Sequence, residues 1–67
     1  MIPDIDVWRG ANFMVKRHGA DAPVAAAQRA DALLAAGDTE GHFVWERILT
    51  AIGELQRTTP SEPERVN

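Results

Sequence analysis

Apolar residues recur along this chain at intervals of three and four in three separate stretches, and a glycine with an aspartate close behind it divides one stretch from the next. That spacing lines apolar side chains along one side of a helix that turns about 100° per residue. Gly19 comes shortly before Asp21, and Gly37 directly before Asp38. Glycine accepts the left-handed conformation that ends a helix, and aspartate accepts a hydrogen bond from the N–H groups that open the next. The pattern predicts helices over about 4–18, 22–36 and 39–57, with Asp4, Asp21 and Asp38 as N-caps. Pro23 falls in a first turn, where its missing N–H has no intrahelical partner. Connections this short make sequential helices antiparallel. The expected fold class is all-α, a small antiparallel three-helix bundle over residues 1–57. From Thr58 onward the sequence TTPSEPERVN carries two prolines and no periodicity, so residues 58–67 are expected to form a disordered tail.

The apolar arcs differ from helix to helix. In the first, Met14, Val7, Ala11, Val15, Trp8, Asn12 and Ile5 cover about half the circumference, and this is the expected core face. In the third, Val44, Leu55, Ile48, Ile52, Trp45 and Leu49 form a similar arc, with Glu46, Arg47, Thr50 and Glu54 opposite. Trp8 and Trp45 are therefore expected as the bulkiest core members, each offering about 150–250 Å² to be buried. The middle stretch, APVAAAQRADALLAA, has Leu33 and Leu34 as its only large residues after Val24. Its alanines allow close approach from two sides.

Length makes the need for that packing acute. A chain of 67 residues buries only about 60% of the surface it exposes when unfolded, so stabilisation by a partner or a second copy is in keeping with its size. It has no cysteine, which removes disulfides and thiolate metal sites as supports and fits an intracellular protein. The N-terminal MIPDIDVW carries acids where a secretory signal has basic residues, and no apolar run approaches the roughly 18 residues that span a bilayer. A cytoplasmic location with no membrane contact is expected.

Net charge is −3, unevenly spread: residues 1–20 sum to +1, 21–37 to −1, 38–57 to −2 and the remainder to −1. Only the first helix is basic, through Arg9, Lys16 and Arg17. A nucleic-acid binder concentrates cations, since neutralising phosphate supplies most non-specific affinity. A regulator using this helix, with the second and third helices as a helix-turn-helix, is the alternative reading. Against it, the third helix would bring Glu40, Glu46 and Glu54 to a groove that wants cations; nucleic acid is not the expected partner.

Candidate chemistry is sparse. His18 lies in the last turn of the first helix, where positive charge complements the helix dipole. His42, near a helix start, reads as solvated or partner-facing. No His-x3-His spacing places two ligands on one helix face, and no acid, base and nucleophile set can be named. No enzymatic activity, metal, cofactor or small-molecule substrate is expected. Arg29 and Asp31 are two apart and point away from each other, which leaves them to pair with another helix.

The segments Trp8-Arg9, His18-Gly19-Ala20-Asp21-Ala22, Arg29-Ala30-Asp31, Gly37-Asp38 and Trp45-Glu46-Arg47-Ile48-Leu49 together resemble a family of short alphaproteobacterial proteins defined only as a domain of unknown function. The resemblance covers about residues 4–57. It implies a small bacterial cytoplasmic helical protein, and it carries no catalytic residue over to this chain.

Two phenylalanines escape the apolar arcs. Phe13 lies about 140° round from Trp8, on the line of Arg9 and Arg17, and Phe43 lies about 160° round from Trp45, on the side of Arg47. Paired exposed aromatics are what protein contacts enrich. Arg9, Phe13, Arg17, Phe43 and Arg47 are accordingly the expected partner-binding residues. The function they point to is that of an interaction module, self-associating, as in a homodimer, or docking on a larger bacterial protein.

Overall fold

The computed structural model of the chain describes residues 4–58, and no strand occurs among them. The all-α class is as expected, but the helices are joined differently. Helix α1 (Asp4–His18) passes through a 3-10 turn (Gly19–Asp21) straight into α2 (Ala22–Ala35). Residues 4–35 thus form one helical path with a bend, and α3 (Thr39–Thr58) is the second helical stretch. Asp21 makes no side-chain cap; the Ala22 N–H is instead taken by the Gly19 carbonyl. The N-cap expected there is replaced because the 3-10 turn uses the backbone's own acceptor. Gly19 supplies the bend with φ of +57°. Apart from Thr58, which closes α3, the expected tail lies outside the described residues.

The second junction follows the sequence closely. Gly37 adopts φ of +86°, its N–H donates to the Leu34 carbonyl at 3.0 Å, and the Asp38 N–H donates to the Leu33 carbonyl at 2.8 Å. This 5→2 and 6→1 pair is the Schellman ending, which satisfies carbonyls that would otherwise be orphaned. Asp38 then caps α3, its Oδ1 accepting from the Gly41 N–H at 2.9 Å. The reversal returns α3 along α2, and α3 also lies against α1. At its far end Gln56 Nε2 donates to the Gly19 carbonyl at 2.9 Å, tying α3 to the bend.

The buried set is narrow. It comprises Val7, Ala11 and Met14 from α1, Ala22, Ala26 and Ala30 from α2, and Ile48, Ala51 and Ile52 from α3. Ile52 is the only large side chain among them that is completely enclosed. The i, i+4, i+8 line Ala22, Ala26, Ala30 is fully buried, so α2 meets its neighbours nearly backbone to backbone. Val15, Ala25, Val44, Trp45, Leu49 and Leu55 close the margins as partly buried groups.

Trp8, expected in the core, is 39% exposed, and Ile5 and Asn12 from the same expected arc are exposed as well. The buried stripe of α1 is centred about 60° away from the expected arc, toward Gly10. A methyl group at Gly10 would stand 3.2 Å from Ile48 Cδ1; the missing side chain lets α1 settle closely on α3 with that side inward. The close approach wins over burial of the indole. Trp45 keeps its inward direction but is only partly buried.

Candidate functional site

The expected partner-binding residues fall into two groups. The first lies on α1, where Arg9, Phe13 and Arg17 follow one another at i, i+4 and i+8, on the side away from Val7, Ala11 and Met14. Phe13 is 59% exposed. The Arg17 guanidinium lies over its ring, 5.9 Å from the centroid, within the range of a cation–π contact. At an exposed site such a contact contributes about 0.5–1 kcal/mol. Arg9 is drawn toward the start of α1 by Asp6, at 3.6 Å. The rotation of α1 adds what the sequence reading placed inside: Ile5 and Trp8 now stand outside together with Phe13.

The second group lies at the start of α3. Phe43 is 60% exposed, its ring tilted 58° to that of His42 with centroids 5.4 Å apart. It forms one wall of an apolar hollow of about 380 Å³ completed by Thr39, Glu40, Val44 and Arg47. Arg47 is committed inside the molecule, since its guanidinium donates to the Asp4 carboxylate and so joins the start of α1 to α3. Arg47, an expected partner-binding residue, is thus also an internal tie, and it lines the hollow beside Phe43. Phe13 does not line this hollow, and it makes no ring contact with Phe43 among the described residues.

A second hollow, of about 310 Å³, lies between α1 and α3, lined by Asp4, Val7, Trp8, Arg47, Thr50, Ala51 and Glu54. Trp8 was missed as a surface residue because a wheel weighs side-chain size and not how closely a glycine lets a partner helix approach. Gly10 was the available signal.

His42 and the Arg29–Asp31 pair depart from expectation. His42 is not a solvated residue: it is part-buried, with Nδ1 2.9 Å from the Ala30 carbonyl, and links α3 to α2. Arg29 and Asp31 make no ion pair among the described residues; both are exposed on α2. His18 is where the dipole argument put it, in the last turn of α1 beside Lys16 and Arg17. Arg9, Lys16 and Arg17 lie on α1, while α3 presents Glu46 and Glu54, one near His42 and the other bonded to Arg57. No described helix is long and apolar enough to cross a membrane. No protein-family model, curated protein or solved structure matches the chain.

Proposed function

We propose that the chain is an interaction module: a small bacterial cytoplasmic three-helix bundle that associates with a second copy or docks on a larger protein through exposed aromatics. One observation carries this reading. Ile5, Trp8, Phe13, Val24, Leu34 and Phe43 are exposed, whereas the buried set contains a single large side chain that is fully enclosed. A chain that leaves more large apolar groups outside than it encloses has surface to bury against something else. Phe13 with Arg17, and Phe43 with its hollow, supply exposed aromatic anchors of the kind interfaces favour. Arg9 and Arg17 flank Phe13 and fit an acidic partner surface.

The test is the double change Phe13→Ser and Phe43→Ser, followed by sedimentation velocity at micromolar concentration and capture from a bacterial lysate. Helical content and unfolding should stay within about 1 kcal/mol of the parent, as for other surface substitutions, while association is lost. A parent that sediments as a strict monomer and captures nothing overturns the proposal.

A further inference from the structure

Asp6, Arg9, Phe13 and Arg17 fall within about 80° of one another on α1 at 100° per residue, and so form one stripe along the helix. All four are exposed, and the stripe lies off the side that buries Val7, Ala11 and Met14. Its charges are sorted by end. Asp4 and Asp6 stand in the first turn of α1, and Lys16, Arg17 and His18 in the last. Asp4 is engaged by Arg47, whereas the Asp6 side chain is 48% exposed and meets Arg9 at 3.6 Å. Lys16 and Arg17 make no ion pair among the described residues. The helix dipole accounts for acids at a helix start and cations at its end. It does not account for the exposed ring of Phe13, which stands between Asp6 and Arg17 on the same stripe.

Resting on the interaction-module reading, we propose that the partner is a second copy of this chain, docked α1 against α1 in antiparallel sense about a twofold axis. A stripe that is acidic at one end and basic at the other is complementary to itself when reversed, and a twofold contact brings the same patch of both copies together. Setting Asp6 opposite Arg17 of the second copy places the axis between positions 11 and 12 and repeats the ion pair at both ends. Phe13 then lies about 4.5 Å along the helices from Phe13 of the second copy, close enough for the two rings to pack as an offset pair. Parallel pairing would set Asp6 against Asp6 and Arg17 against Arg17. The contact runs along one helix of 15 residues, about 22 Å long, and covers less than the roughly 800 Å² per partner of a stable interface. The dimer is therefore a reversible one whose population rises with concentration.

The experiment is sedimentation equilibrium of the full chain from micromolar to millimolar concentration, with helical content checked by circular dichroism. The parent should associate reversibly to a dimer, less so at high salt. Asp6→Lys and Arg17→Glu should each weaken the dimer by about tenfold, since exposed pairs are individually weak but symmetry counts each change twice. An equimolar mixture of the two variants should dimerise again, because each supplies the charge that the other lacks. Phe13→Ser should lose the dimer and Phe43→Ser keep it. A parent that stays monomeric throughout, charge-reversed variants that dimerise as the parent does, or a mixture that associates no better than its components each overturns the second copy as the occupant of this stripe. The broader reading survives such a result if the parent captures a lysate protein that the Phe13→Ser and Phe43→Ser double variant does not. Should Arg17→Glu fail to fold, Asp6→Lys and Phe13→Ser still decide.

Discussion

The same chemical change, glycine to alanine, should act in opposite directions at two positions of this chain. At Gly53 the backbone is helical, the site is exposed, and an added methyl group meets nothing within 4 Å. Alanine there should stabilise the fold by about 0.8–1.0 kcal/mol, the difference in helix propensity. At Gly37 the space is equally open, but φ is +86°. A Cβ in that conformation is strained, so Gly37→Ala should destabilise by about 1–2 kcal/mol. Urea midpoints at unchanged slope measure both. Gly10 is the intermediate case, where the gain in propensity is opposed by the buried Ile48 3.2 Å from the new methyl group. Residues of this kind set the limit of what the sequence disclosed. Gly37 was legible because a turn glycine announces itself between two periodic stretches. Gly10 was not, since inside a helix its meaning depends on which partner presses against it.

Caps and turns are where the elements were most legible. Asp38 is followed three residues on by Gly41, whose N–H it receives. A methyl group at position 41 would lie 2.5 Å from Asp38 Oδ2, so the glycine makes room for the carboxylate that caps its helix. Asp38→Ala should cost about 1 kcal/mol and speed amide exchange at Gly41, leaving amides deep in α3 less affected. Unchanged exchange at Gly41 would show that the cap contributes nothing. The first junction was misread because aspartate after glycine looks the same in sequence whether it caps a helix or ends a 3-10 turn; only the backbone path decides. The exposed patch was legible in part for a similar reason. Phe13 and Phe43 could be placed off the arcs by counting, whereas Ile5 and Trp8 joined the surface only because α1 turned about its axis toward Gly10.

For the molecule as a whole, alanine is the main material of the interior, and stability rests on few large side chains. Among the described residues Ile52 is the one that is fully enclosed. Ile52→Ala should remove about 2–5 kcal/mol, against a total of about 5–15 kcal/mol for a folded domain. Thermal unfolding should show a large loss or no cooperative transition at all. A modest change would mean that α2 closes onto the vacated space.

The tie between Arg47 and Asp4 has a consequence in time. It joins residues 43 apart in the chain, whereas the Schellman ending and the Asp38 cap join residues within five of each other. Short loops close at less entropic cost than long ones, and contacts between distant residues slow folding. The α2–α3 reversal is therefore expected to form early, with α1 docking late. Arg47→Met should leave the folding rate nearly unchanged and raise the unfolding rate, since it removes an interaction absent from the transition state. Stopped-flow kinetics in urea would resolve the two limbs. The order matters for a chain synthesised from N- to C-terminus: α1 leaves the ribosome before α3, and until α3 is complete Val7, Ala11 and Met14 lack the helix they are to be buried against.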